Sequence, residues 1–368
     1  MTLDFSFSAE QQMLRDEARS WLESKVPAER VVEIADSGSG WDPDSWRQMA
    51  ELGWIGLSAP PEAGGAGTTF LEEAVLFEEF GRVLFPGPYF ATVGLCLPAL
   101  EAAPDLCRRA AAGEITFSLA WAEPSGPLTL YEDGGYGAKA VPSDGSSGGT
   151  WELSGEKVLI PDAGVVSHFV VAAGTADGPA LFVAEAEGEG SSTMDSTRTL
   201  GTVRLDGVSA TMVGAPGGFA GLLERIRLRA HSALALEALG VAEAALTMAV
   251  EHAMTRNQFG RPIGAYQAVS HQVADTYMDV ELARSLAYWA AWCVAESDPQ
   301  APAAVAAAKS FAGEAAVRAC ERSIQVHGGM GFTWEHMLHR YYKRAGWIDS
   351  FDGYGPAHRR VIADTLLD

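Results

Sequence analysis

Gln325-Val-His-Gly-Gly-Met-Gly-Phe-Thr333, read with Arg256-Asn-Gln-Phe-Gly260 upstream, is the stretch on which the fold of this chain turns. Arg256 offers a planar, permanently charged fork that suits phosphate, and Gly328-Gly329 removes the side chains that would hold a phosphate away from the backbone. Each segment has a plainer reading by itself. An arginine on a helix surface is usually a solvated charge, and paired glycines often do no more than end a helix. Their order, and the helical periodicity around them, favour a shared purpose: a site for a dinucleotide.

Around these segments the helical period runs from Gly217-Gly218 almost to the end, with Ala-rich stretches at 230–253, 268–296 and 301–325. Small residues at this density let long helices approach closely, which predicts a four-helix bundle or an assembly surface. Upstream the texture differs. From Ile115 come short β-type segments, Thr116–Trp121, Trp151–Leu153, His168–Ala173 and Ala180–Ala184, separated by Gly, Ser, Asp and Pro. They predict a compact barrel or sandwich, with the Gly-Ser-Ser-Gly-Gly tract at 145–149 as a hairpin tip. Residues 8–113 read as helical: Ser8-Ala-Glu-Gln11 has the form of a capping box, a second helix starts near Asp44, and Phe70–Leu84 resumes the pattern after the turn-rich Pro60-Pro-Glu-Ala-Gly-Gly65. The expected fold class is therefore α+β, in three parts: 1–114 helical, 115–222 β, 223–368 helical.

Composition narrows the partners. A chain of 368 residues with 48% hydrophobic content has ample material for burial, and its net charge of -22 argues against nucleic acid or an anionic membrane surface. Any polyanion must be met by a local basic patch. Cys96, Cys107, Cys293 and Cys320 lie far apart with no CxxC pair, which predicts structural thiols in a reducing compartment and no zinc or other metal site. The N-terminus has no charged-then-apolar signal, and no apolar run is read as approaching the roughly 18 residues of a membrane span. The expectation is a soluble cytoplasmic protein.

With Leu52-Gly-Trp-Ile-Gly-Leu57, Pro60–Gly65 and Ala122-Glu-Pro124 added to the two C-terminal segments, the chain resembles the acyl-CoA dehydrogenase family over its whole length. The resemblance implies an N-terminal helical domain, a middle β domain and a C-terminal four-helix domain, assembled so that FAD lies between subunits. It implies α,β-dehydrogenation of an acyl-CoA thioester, with a carboxylate as base and an acceptor such as an electron-transfer flavoprotein. A thioester α-proton is weakly acidic, so such a site needs donors on the carbonyl and a base beside the carbon.

In that pattern one subunit grips the flavin ring and its neighbour grips the pyrophosphate and adenosine. The neighbour's half is intact here: Arg256, Gln258, Phe259, Ile263, Tyr266, Gln267, Gln325, Val326, Gly328 and Gly329 match it. The ring half departs from it. Where the family has a Thr-Glu-Pro run followed by Gly-Ser, this chain reads Ala122-Glu-Pro-Ser-Gly-Pro-Leu128, and where the family has Trp-Ile-Thr it reads Leu159-Ile-Pro161. A lost hydroxyl donor costs roughly 1 to 3 kcal/mol when its buried partner stays unpaired. One family base location reads Asp352-Gly353 with a shorter acid, and the other reads Ala230 beside His231, with Glu237 and Glu243 further along and facing solvent or another helix.

The pattern resembles one subunit of the actinobacterial steroid side-chain acyl-CoA dehydrogenases, which are two-plus-two heterotetramers. It implies a related partner chain that carries the base and grips the ring. Two alternatives stand beside it: a self-sufficient homo-oligomer, acyl-CoA dehydrogenase or oxidase, with Asp352 as base, and a non-enzymatic stabilising subunit. Arg225, Arg227 and Arg229 alternate rather than follow a helical face, and with His339-Arg-Tyr-Tyr-Lys-Arg344 they are candidates for a CoA phosphate or the partner, or for plain salt bridges. Trp289 and Trp292 read as core or interface.

Overall fold

The computed structural model describes residues 7–143, 149–214 and 217–367. Most of the tract read as a hairpin tip, 145–148, lies outside them. The helices are α1 (Ala9–Lys25), α2 (Ala28–Ser37), α3 (Pro43–Glu51), α4 (Phe70–Val83), α5 (Leu97–Leu100), α6 (Pro104–Ala111), α7 (Phe219–Thr255), α8 (Gln267–Ala295), α9 (Ala301–His327), α10 (Leu338–Ser350) and α11 (Gly355–Leu367). The strands are β1 (Phe117–Ala120), β2 (Lys139–Pro142), β3 (Trp151–Pro161), β4 (His168–Thr175), β5 (Gly178–Glu185), β6 (Gly188–Ser191), β7 (Leu200–Val213), β8 (Asn257–Gln258) and β9 (Arg261–Pro262). The capping box is present: Gln11 N–H donates to Ser8 Oγ at 3.2 Å and Ser8 N–H to Gln11 Oε1 at 3.1 Å. The helix expected near Asp44 is α3, capped by Asp42, and α2 precedes it unforeseen.

Contacts group the residues into two units. One comprises 1–33, 70–85 and 231–368. Its long helices pack through small residues, as at Gly81 of α4 and Gly240 of α7. A Cβ on Gly81 would stand 2.1 Å from Glu237 O, and one on Gly240 would stand 2.0 Å from Glu78 O, so only glycine permits this backbone approach. Beside the crossing, Glu78 and Glu79 are buried and held by Arg15, Arg19, Arg82 and Arg284. Glu237 is likewise buried, against Arg344 at 2.5 Å, and Glu243 lies 3.6 Å from Arg284. Charges removed from water survive only in such pairings.

The other unit comprises 34–69 and 86–230. Its sheet closes into a barrel: β4 pairs with β5, β5 with β7, β7 with β3, β3 with β2, and β2 returns to β4 through Lys139 and Gly174. Inward residues Trp151, Leu153, Phe169, Val171, Phe182 and Val203 fill it. β3 carries two irregularities, and the second, between Lys157 and Ile160, holds Leu159 at φ 55.

The expectation that no apolar run approaches the length of a membrane span does not hold for α7. α7 is long and apolar enough by composition to cross a membrane, although 72% of its most apolar window is buried inside the fold. It reads as a core helix, and its small residues, rather than a lipid-facing surface, explain the hydropathy. The four cysteines are all buried and unbridged.

Candidate functional site

The Arg256 segment forms because α7 ends and the chain must reverse into α8. Arg256 N–H still donates to His252 O at 2.9 Å, and then β8 and β9 pair as a two-residue hairpin with Gln258 opposite Arg261. Both turn residues, Phe259 at φ 51 and Gly260 at φ 82, are left-handed, as a twisted tight hairpin demands. Glycine suits that region and Phe259 does not; its ring is 92% exposed at the tip. Tyr266 Oη donates to Gln258 O at 3.1 Å and Arg261 lies 4.1 Å over the Tyr266 ring, so the hairpin is braced from its base. The Arg256 guanidinium is exposed and bonds no side chain among the described residues.

The second segment begins where α9 stops. Gly328 is the C-cap, at φ 63 and ψ −138, and its N–H donates back to Gln325 O and Ile324 O. That backbone conformation belongs almost to glycine alone. A Cβ on either Gly328 or Gly329 would meet nothing within 4 Å, so the loop faces open space. A small apolar cluster joins the segments: Ala249 and Ala253 of α7 and Val326 of α9 pack with Ile263, Val269 and Val273. The side chains of Ile263 and Val326 therefore serve as a joint between the motifs. Gln258, Gln267 and Gln325 remain exposed around it. These residues suit a phosphate: a free guanidinium and a backbone loop with no side chain in the way.

The segments at which the ring-gripping pattern is lost are brought together too, and their polar groups are satisfied within the chain. Val158 N–H donates to Ala122 O at 3.0 Å, setting the Ala122 loop beside the Leu159 bulge. The carboxylate of Glu123 is consumed locally, accepting from Lys157 Nζ at 2.6 Å, Gly137 N–H at 2.5 Å and Ala138 N–H at 3.0 Å. Burial pushes Glu123 up, and Lys157 with those two amides outweighs it, leaving the carboxyl below its usual range. Burial draws Lys157 down to about 8, so it stays protonated at neutral pH. Leu128 and Leu159, 52% and 49% exposed, offer no donor where the family places polar or aromatic groups.

Asp352, named above as the alternative base, is not open to a substrate. It sits at φ 56 in the turn between α10 and α11, and its Oδ2 accepts from His231 Nε2 at 2.6 Å with both side chains fully buried. His231, next to the Ala230 location, thus meets Asp352, and each occupies the other's polar atom. His358 packs edge-on against His231 at 5.0 Å and donates from Nε2 to Gly353 O at 3.0 Å. Burial, followed by the charges of His231 and Lys309, pushes His358 down to about 3. Lys309 Nζ donates to Ile348 O at 2.7 Å, fastening the same turn to α9.

The basic clusters are also spoken for. Arg225, Arg227 and Arg229 lie on α7, contrary to the alternating pattern, because the helix starts at Phe219. Arg225 pairs with Glu101, Arg227 with Glu224, and Arg229 donates to Val93 O at 3.0 Å. In the other cluster Arg344 holds Glu237, and Lys343 lies 4.6 Å over the Trp334 ring. Sequence reading missed the Glu123–Lys157 and His231–Asp352 pairs, since nothing in the spacing of 34 or 121 residues signals a contact.

The chain belongs to the acyl-CoA dehydrogenase family: residues 8–104 match the acyl-CoA dehydrogenase N-terminal domain and 224–367 the C-terminal domain. Family members are FAD-dependent oxidoreductases. Among similar proteins, the acyl-CoA dehydrogenase IpdE2 of Mycobacterium tuberculosis is 32% identical over 91% of this chain and 91% of its own length. The Tcur3481-Tcur3483 steroid ACAD has a chain 30% identical, with a TM-score of 0.84 over 97% of this chain and 98% of its own. A chain of the ChsE4-ChsE5 complex from Mycobacterium tuberculosis is 27% identical, with a TM-score of 0.87 over 100% of this chain and 99% of that one.

Proposed function

We propose that this chain is one subunit of a heteromeric acyl-CoA dehydrogenase and supplies the pyrophosphate and adenosine half of a FAD site whose ring half and base lie on a related chain. The observation that carries the reading is the contrast within one sequence. Arg256 and the Gly328 loop are open and unclaimed by the chain's own groups, while Glu123, His231 and Asp352 are consumed in buried bonds. Arg256 would neutralise phosphate charge, the Gly328-Gly329 backbone would approach it closely, and the exposed Gln258, Gln267 and Gln325 would bond the adenosine end. FAD, when bound, supplies the hydride acceptor for α,β-dehydrogenation. The carboxylate that takes the α-proton would come from the partner.

The steroid name of one similar structure and the paired chains of two favour a CoA thioester of a steroid side chain as substrate and a two-plus-two assembly. An electron-transfer flavoprotein fits as acceptor, and the free buried thiols agree with a cytoplasmic setting. Expression of the chain alone and with a related chain bearing Glu at a base position tests this by flavin absorbance after gel filtration. The complex should be yellow and the single chain colourless, and Arg256→Ala should cut the complex's flavin affinity about tenfold or more. Yellow protein from the single chain would restore the homo-oligomeric reading. Flavin content indifferent to Arg256→Ala would favour a purely stabilising subunit.

A further inference from the structure

Three imidazoles lie in a row behind the glycine loop. His252 of α7 stacks on His327, the last residue of α9, at 4.3 Å between centroids, and His336 meets His327 edge-on at 4.6 Å. The row touches both phosphate segments. His327 directly precedes Gly328, and the carbonyl of His252 accepts the Arg256 N–H. Backbone bonds fix the inner and outer rings: His327 Nδ1 donates to Ser323 O at 2.8 Å, and His336 Nδ1 accepts from Leu338 N–H at 3.2 Å.

The side chains that act on His252 and His336 are imidazoles and an arginine. Burial, then His327 and Arg256, hold His252 below the usual imidazole range; burial, then His327, His252 and His339, do the same to His336. Glu251 and Glu335 adjoin them in the chain but are exposed, and Glu335 is turned to its own backbone and the Thr333 side chain. From α8, Val269 and Val273 pack into the neighbouring apolar cluster. No carboxylate among the described residues acts on His252 or His336, in a chain of net charge -22. Nor is this a metal centre, since no group of three or more ligating side chains among those residues could hold an ion. A proton on His252 or His336 is opposed by burial and by the neighbouring rings, and on His252 by Arg256 as well. A pyrophosphate diester at the loop, with one negative charge on each phosphate, would supply the missing counter-charge.

We propose that His252 and His336, packed on either side of the His327 ring beneath the phosphate loop, accept a proton when phosphate arrives, so that a pyrophosphate diester and at least one proton bind together. The inference rests on the phosphate-lending role given above, and it makes cofactor retention by the shared site stronger as pH falls from 8 to 6. By linkage, an anion that prefers the protonated rings must raise the affinity of those rings for protons.

Titration calorimetry of the full chain with ADP-ribose tests this, because its pyrophosphate keeps the same charge across the range. Affinity should rise between pH 8 and pH 6, by up to about tenfold per pH unit where one proton is fully linked. Heats in buffers of different ionisation enthalpy should report proton uptake. In His252→Gln with His336→Gln the ratio of affinities at the two pH values should fall to near one; His252→Gln alone should lower it in part and serves if the double variant does not fold. A flat affinity that still requires Arg256 would overturn the proton linkage alone. Binding absent at every pH, or indifferent to Arg256→Ala, would overturn the phosphate role and the linkage with it.

Discussion

The Arg256–Gly328 region and the Ala122–Leu159 region each bring two distant segments together, and their polar groups end in opposite states. In the first, polar groups point outward: Arg256 has no side-chain partner among the described residues, the glycines face open space, and Phe259 stands 92% exposed in a backbone region that disfavours it. In the second, the acid that survives from the family's run is buried, triply bonded and ion-paired. Outward, unsatisfied polarity marks groups kept for an outside ligand, whereas mutual satisfaction marks groups kept for stability; left-handed backbone at a residue other than glycine occurs in both, at Phe259 and at Leu159 and Asp352. The Asp352 turn belongs with the closed region, since its carboxylate is spent on His231.

This contrast can be broken by variants that should act on stability in the closed regions and on binding in the open one. Glu123→Ala has the largest expected effect. It strands Lys157, whose side chain is fully buried, and should remove about 3 to 5 kcal/mol, read as a lowered denaturant midpoint with an unchanged slope. A loss below about 1 kcal/mol would show that the carboxylate is not structural and reopen a ligand role for it.

Acid pH probes the turn at Asp352. His358 is held near 3 in the folded chain, and an unfolded imidazole titrates near 6.5. Between those values the unfolded state binds a proton that the folded state refuses, so stability is whole above about 6.5 and falls as pH drops below it. About 2 kcal/mol should go between pH 7 and pH 5 from this group, and His358→Gln should flatten that slope. Urea titrations at both pH values would check it, and a slope equal in parent and variant would contradict the assignment.

Phe259→Ala should have the smallest effect on the chain itself, within about 1 kcal/mol, since the ring is exposed. Its effect should appear instead as weaker flavin retention in the complex. A large loss of stability in the single chain would move Phe259 from the open class to the closed one.

Much of this was legible beforehand. The long helices α7, α8 and α9 follow from Ala-rich periodic stretches, and β4 and β5 from short apolar runs between turn residues, because local spacing and composition fix those choices. β7, the longest strand, was missed. Gly201, Asp206 and Gly207 interrupt its pattern, and cross-strand pairing to β3 overrides that local weakness. The phosphate segments were visible because Arg256, Phe259, Gly328 and Gly329 lie close together within each motif.

What the sequence determined by itself was therefore everything set by neighbours in the chain: the order of helical and β parts, the family, and which residues could meet a phosphate. Which of those residues remain available was decided only in three dimensions. His231 and Asp352 lie 121 positions apart and share a 2.6 Å bond; Glu123 and Lys157 lie 34 apart and share another. A polar side chain is a ligand group or a structural one according to whether the fold brings it a partner, and packing rather than spacing settles that.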